Sequence, residues 1–400
     1  MFVLCFKQRR VGPSQVSRRA RLSFAPPRIK SGEAPLAFGF HLGAETAFPR
    51  AAFPDKAAAP SRAGTGPSTV RLWLFAVAAL VFAMVLVGGA TRLTESGLSI
   101  TQWKPVTGVI PPLSAADWQA EFDRYKAIPQ FAELNPDMTL AGFETIFWWE
   151  WSHRLLARIV GAAFILPGLY FWMRGRLKGA LGREVLVATG LLALEPIVGW
   201  WMVSSGLSER VEVAQDRLAL HLLIAAGVFA ALISAAVGMG ERGLKAAPRG
   251  FVVSAAAFAA LVYCQIGLGA LVAGLRAGLI YNTWPLMGVN FVPGEAFPSP
   301  WPRALIDDPA TAQFDHRTVA YAVVVFAIVQ ALAAVRAAPP ALARRAALLA
   351  GVAALQAALG IMTLVMAVPL GLALAHQAAA LVLFGLAVAH WRRTRMEQAL

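Results

Sequence analysis

From Leu72 to Thr91 the chain runs without a charged side chain, and it does so again over Leu218 to Gly240, Phe251 to Leu275 and Thr318 to Val335. A backbone in hydrocarbon must satisfy its own amides, so such runs cross a bilayer as helices or as strands of a closed barrel. Barrel strands alternate apolar and polar residues in short segments. These runs do not alternate. Ala346 to Trp391 is uncharged over a length sufficient for two spans, with Pro369 and Gly371 marking the turn between them. A further helix starts near Trp148, carries His153, Arg154 and Arg158 in its first turns and runs to Met173, and another runs from Val185 past Glu195 to Val203. The expected fold is an all-α polytopic membrane protein with eight transmembrane helices.

Composition agrees. Hydrophobic residues make up 58% of the chain and charged residues 14%, against about a quarter charged in soluble proteins, which excludes a soluble enzyme and a secreted disulfide scaffold. The formal charge of +14 is local, since residues 1–71 supply nine of those net charges. Nucleic acid is therefore not an expected partner, and the surplus reads as a topology signal or an address. Cys5 lies in the basic leader and Cys264 inside an apolar run, so no disulfide is expected. Residues 1–65 read as a mobile leader with two readings, a mitochondrial transit peptide or a coding start set upstream of the true one.

Arginines and lysines gather in alternate loops: Arg174, Arg176, Lys178 and Arg183, then Arg242, Lys245 and Arg249, then Arg336, Arg344 and Arg345, and finally Arg392, Arg393 and Arg395 at the end of the chain. The positive-inside rule puts these loops and both termini on the cytoplasmic or matrix side. The expected location is the bacterial inner membrane, with the mitochondrial inner membrane as the alternative.

The sequence also repeats. Gly88, Gly97, Leu98, Trp103 and Pro112 recur 181 residues later as Gly269, Gly278, Leu279, Trp284 and Pro293. Trp151-Ser152-His153-Arg154 is echoed by Phe314-Asp315-His316-Arg317, and Leu218-Ala219-Leu220-His221 by Leu374-Ala375-His376. Two pseudo-symmetric four-helix bundles are expected, an N-terminal half at 66–240 and a C-terminal half at 241–400. Four is even, so this is a parallel repeat about an axis along the membrane normal.

Each half then offers a histidine pair, His153 with His221 and His316 with His376, at one depth near the outer face. Two imidazoles on facing helices of a bundle are the ligands of a six-coordinate haem. Arg154, Arg158, Arg217 and Arg317 near the outer ends are candidates to meet propionates. Glu150 shares a helical face with His153 at i and i+3, whereas its counterpart before His316 is Gln313. Only one site has an acid able to move protons at the porphyrin edge. Zinc is not expected without a thiol or acid to complete a tetrahedral set, and His41 and His390 are read as unimportant. Intramembrane histidines also serve as interhelical hydrogen bonds or proton relays. A di-haem electron carrier and a transporter are thus the competing classes; the first explains the pairs without Glu150, and the second predicts no chromophore.

Gly88-Gly89-Ala90-Thr91-Arg92-Leu93-Thr94, Ser96-Gly97-Leu98-Ser99, Trp103-Lys104-Pro105, Glu150-Trp151-Ser152-His153-Arg154, Gly199-Trp200-Trp201-Met202-Val203 and Arg217-Leu218-Ala219-Leu220-His221, in that order, resemble the haem A synthase family. The resemblance covers residues 70 to 392 and is closest to the mitochondrial and alphaproteobacterial branch. It implies oxidation of the C8 methyl group of haem O to a formyl group by two hydroxylations and loss of water. His153 and His221 would hold substrate haem O in the first half, and Glu150 would assist the oxidation. His316 and His376 would hold a permanent haem b, and Arg92 joins the arginines expected near a porphyrin. Haem O synthase, an electron-transfer partner and membrane lipid are the implied partners; homo-oligomerisation is left open. One departure stands out: where the family usually has Gln-Gly, this chain has Glu195-Pro196, which is expected to kink its helix and to need a partner for the acid.

Overall fold

The structure is a computed structural model that describes residues 68–240 and 247–398; the leader with Cys5 and His41 lies outside the described residues. Helices account for all its long elements, in the order α1 (Thr69–Leu93), α2 (Ala115–Lys126), α3 (Pro129–Leu134), α4 (Leu140–Met173), α5 (Gly179–Ser204), α6 (Gln215–Gly238), α7 (Arg249–Gly274), α8 (Trp301–Asp307), α9 (Pro309–Ala337), α10 (Pro340–Val365) and α11 (Leu370–Gln398). Among the described residues there is no strand. Eight helices, α1, α4 to α7 and α9 to α11, are long and apolar enough to cross a membrane.

α1, α4 and α9 begin before the uncharged stretches that announce them, their first turns capped by polar side chains a hydropathy pattern does not see. Ser68 Oγ accepts from the Arg71 amide at α1, Thr139 caps α4, and Asp308 caps α9 with Pro309 at the first helical position. α4 consequently begins before Trp148, its first turns standing beside the outer loop. Between α10 and α11 the chain turns through Ala367 and Val368, both at positive φ, and Pro369 stops one helix before the next begins. Pro196 lies inside α5, which stays helical through it; the ring's missing N–H leaves the Leu192 carbonyl without its helical donor.

One apolar core runs through the spanning helices. Trp73 of α1 stacks on Phe164 of α4 with ring centroids 5.4 Å apart, and its indole N–H donates to the Ala163 carbonyl at 2.8 Å. Small residues allow close approach elsewhere. Ala226, Ala235, Ala236 and Ala387 are fully buried. Gly89 leaves room for Gln377 of α11, whose amide donates to the Val85 carbonyl of α1 at 2.9 Å.

The seams between helices differ along the chain. α7, α9, α10 and α11 close a ring in which every neighbour packs on the next: α7 on α9, α9 on α10, α10 on α11, and α11 on α7. α1, α4, α5 and α6 repeat three of those seams, α1 on α4, α5 on α6, and α6 on α1, but α4 and α5 share no comparable seam. Above this first set, α2 and α3 pack Phe122, Tyr125 and Ile128 with Leu98, Ile100, Phe143, Phe147 and Val213 in a small second core. That core was not legible as apolar periodicity, because α2 is mostly polar and only its aromatic side chains are buried.

Candidate functional site

Sequence reasoning placed four histidines at one depth, and the helices deliver them in matching positions. His221 and His376 each follow the first residue of α6 and of α11, 215 and 370, by six positions, and His316 follows that of α9, 309, by seven. His153 stands deeper in its sequence only because α4 starts early.

Each imidazole rests edge-on against a glycine of a neighbouring helix. A Cβ built on Gly88 of α1 would lie 2.9 Å from Cε1 of His153, and one on Gly199 of α5 would lie 3.1 Å from Cε1 of His221. The corresponding distances are 3.0 Å from Gly269 of α7 to His316 and 2.8 Å from Gly360 of α10 to His376. Real Cβ atoms essentially never come as close as those on Gly88 and Gly360 would, so a larger residue there would displace the ring, and at Gly199 and Gly269 the ring would have to give by a few tenths of an ångström. Gly88 and Gly269 were visible in the sequence as members of the repeat, yet their role was not; the signal was that each histidine pair is matched by a glycine pair.

His316 and His376 face each other with ring centroids 6.4 Å apart and planes at 82°. A metal–imidazole bond is about 2 Å, so two in line, with the distance from each nitrogen to its ring centre added, require about 6 Å. The two rings are too far apart to touch and correctly spaced to share one iron atom. Nδ1 of His376 is buried without a partner, as is Nδ1 of His153. His153 and His221 likewise lie within electrostatic reach of each other. The residues present therefore fit haem, and among the described residues no cluster of three or more metal-binding side chains offers another metal a site.

The arginines expected at propionates are bound to the loops above the histidines. Arg154 donates from Nη2 to the Ile100 carbonyl at 2.7 Å and from Nη1 to that of Gln102 at 3.0 Å. Arg317 does the same at repeat-related positions, to Tyr281 at 2.8 Å and Thr283 at 2.9 Å. Arg158 holds the carbonyls of Lys104 and Pro105, and Arg217 donates to the Trp201 carbonyl at 2.8 Å with its guanidinium 4.4 Å from that residue's ring. Arg92 pairs with Glu212 at 2.7 Å and reaches the Ala273 carbonyl at the end of α7. These hydrogen bonds make Arg154, Arg158 and Arg317 braces of the loops that follow α1 and α7, and tie Arg217 to the last turn of α5.

Glu150 is 2% exposed and fully engaged. Its Oε2 accepts from Ser99 Oγ at 2.8 Å and from the Ile100 amide at 2.7 Å, while Oε1 accepts from Arg154 at 2.5 Å and 3.0 Å. In the second half the amide of Gln313 donates to the Tyr281 carbonyl at 3.2 Å. Both side chains bind the same point of the repeated loop, one as an acceptor that carries charge and one as a neutral donor.

The sequence did not show what joins the halves at this face. Glu95 and Arg276 are 181 residues apart, both at positive φ, and pair with each other at 2.6 Å; Arg276 also pairs with Glu212. An open cavity of about 420 Å³ lies beside them, lined by Glu133, Glu209, Arg210 and Gln215 and by none of the histidines. His390, near the far end of α11, is buried at 2% exposure, away from both pairs. Cys264 is a free thiol.

A heme A synthase of Rhodopseudomonas palustris strain BisA53 is 54% identical over 338 residues, covering 84% of this chain and 93% of that protein. Heme A synthases of Chelativorans sp. strain BNC1 and Brucella anthropi are 51% and 48% identical, each over 82% of this chain. The family model of the COX15-CtaA cytochrome oxidase assembly proteins matches residues 71–388, which takes in all four histidines, their glycines and Glu150, and the chain belongs to that family.

Proposed function

We propose that this protein is a haem A synthase, a multi-pass enzyme of the bacterial inner membrane that oxidises the C8 methyl group of haem O to a formyl group. The observation that carries the reading is the pair of imidazoles of His316 and His376 at a haem-spanning separation, with all four histidines seated on glycine. The relatives named above are heme A synthases of bacteria, which supports the bacterial membrane, and the basic loops support cytoplasmic termini.

In this reading the chain is two halves, 66–240 and 241–400, with unequal tasks. His153 and His221 hold the iron of haem O, the substrate, and His316 and His376 hold a resident haem b. Haem b, when bound, supplies one-electron transfer. Two features support the order. The second ring of helices is closed on all sides, as suits a group that stays, whereas the first lacks the seam between α4 and α5, as suits one that must enter and leave. The first also has Glu150 three residues before His153, where the second has the neutral Gln313 three before His316.

Glu150 is held by Arg154 and by two donors from the loop at Ser99 and Ile100. It is thus fixed in position to accept a proton released as the methyl group is oxidised, and a shift of the loop is what would free an oxygen for that purpose. Trp103 of the same loop packs on Trp200 with centroids 5.2 Å apart. Haem O synthase is the expected supplier of substrate and a separate electron-transfer protein the expected partner. The test is mass spectrometry of porphyrin extracted from membranes containing the protein and supplied with haem O. Haem A and hydroxylated haem O should accumulate; unaltered haem O alone would refute the assignment and leave the electron-carrier reading.

A further inference from the structure

An acid in the middle of an apolar helix is costly unless something answers it. Glu195 of α5 is such an acid, and the partner the structure gives it is His221: Oε2 lies 2.6 Å from Nδ1, without the alignment of a linear hydrogen bond, while Oε1 is buried and unpartnered. The arrangement follows from helical spacing. Glu195 stands four residues before Gly199, so one turn of α5 presents both the glycine that admits the imidazole edge and the carboxylate that meets its Nδ1.

Two of the other three seats carry an amide at the same place in sequence, of which one meets Nδ1 and the other lies 3.5 Å from Nε2 of His376. Four residues before Gly269 stands Gln265, whose amide donates to the His316 carbonyl at 2.9 Å and lies 3.0 Å from Nδ1 of His316. Gln356, four before Gly360, donates to the His376 carbonyl at 3.0 Å. In the fourth seat Met84 stands four before Gly88, and Nδ1 of His153 has no partner. The second pair of histidines is therefore flanked by two amides, and His221 of the first by a carboxylate.

We propose that Glu195 is a positioning residue for His221, fixing the proton on Nδ1 so that Nε2 is the atom offered to iron, and making this imidazole the strongest donor of the four. A carboxylate on the outer nitrogen of a ligating histidine orients the ring and raises its basicity, and loss of such a partner costs 10–100-fold in affinity. A stronger donor also favours the ferric over the ferrous state. The iron at the first pair then has a lower reduction potential than it would beside an amide, while the second keeps the potential its two glutamines set. This inference rests on the assignment of His221 as an iron ligand.

The test uses the full-length protein in detergent, titrated with ferric haem O and followed by optical and electron paramagnetic resonance spectra and by potentiometry. Glu195→Gln, which copies the second half, should retain two bound haems, raise the midpoint potential of the first-half haem and leave the other unmoved. Glu195→Ala should weaken haem O binding at the first pair by about 10–100-fold, with the resident haem b spectrum reporting that the fold is intact. Wild-type affinity in Glu195→Ala together with an unshifted potential in Glu195→Gln would overturn the proposal. Should His221→Ala bind haem O as wild type does, the ligand assignment beneath it fails instead.

Discussion

The two histidine-bearing halves share their glycine seats, their loop-bracing arginines and three helix seams, and differ in what surrounds the seats. The second has amides at Gln265, Gln313 and Gln356 and a packed wall where α9 meets α10. The first has acids at Glu150 and Glu195, extra arginines at 158 and 217, and no wall between α4 and α5. In the proposed reading, neutral hydrogen-bonding groups steady a group that stays, whereas charge and a looser flank serve a group that reacts and leaves.

The most drastic way to break this comparison is to remove a ligand. His316→Ala should abolish haem b at the second pair altogether, visible as loss of its low-spin absorbance in the purified protein, and His153→Ala should leave that signal in place. Equal loss in both variants would mean that the two pairs do not act as separate sites.

Next in size is the acid that has no counterpart. Glu150→Gln copies Gln313 and keeps an oxygen for the Ile100 amide, so the loop stays anchored. Conversion of haem O should fall by about 10²–10⁴-fold, the usual contribution of a positioned acid or base, with haem b content unchanged. Haem A formed at the wild-type rate would reduce Glu150 to an anchor for Arg154.

A smaller effect tests the seats. Gly360→Ala places a methyl group 2.8 Å from His376 Cε1, and the ring must move; haem b affinity should drop on the order of tenfold. Gly351 on the same helix has open space at its Cβ position. Gly351→Ala should therefore leave haem binding alone and stabilise α10 by about 0.5–1 kcal/mol, measured as a rise in the thermal midpoint. Similar haem loss in both would show that α10 responds to any added bulk.

Much of this was legible in the sequence, for identifiable reasons. Charge is expensive in hydrocarbon, so uncharged runs gave the eight spans, and duplication left Gly88 and Gly269 in register. The histidine pairs stood out because polar residues are rare in such helices. Other features depend on contacts between distant segments. Glu150 looks like a free acid beside His153, and only the fold brings Ser99 and Ile100 to it. Arg92 looks like a porphyrin partner in its motif, yet Glu212 arrives from a loop 120 residues away. The missing seam between α4 and α5 has no local signature at all, since both helices are as apolar as their counterparts.

That seam carries the subtlest of the expected effects. A porphyrin held by two imidazoles leaves by breaking both bonds and then finding a way out, so at equal ligation the exit path decides the rate. When the protein loaded with two haems is mixed with excess apomyoglobin, transfer should occur in two phases, and most differences in affinity between such similar sites should appear in the rate of release. The first half, open between α4 and α5, should release its haem on the order of tenfold faster than the closed ring of α7, α9, α10 and α11. His316→Ala, which removes the resident haem, identifies the phases by abolishing one of them. If the phase it abolishes is the fast one, the closed ring is not what retains haem, and the division of labour must rest on the acids alone.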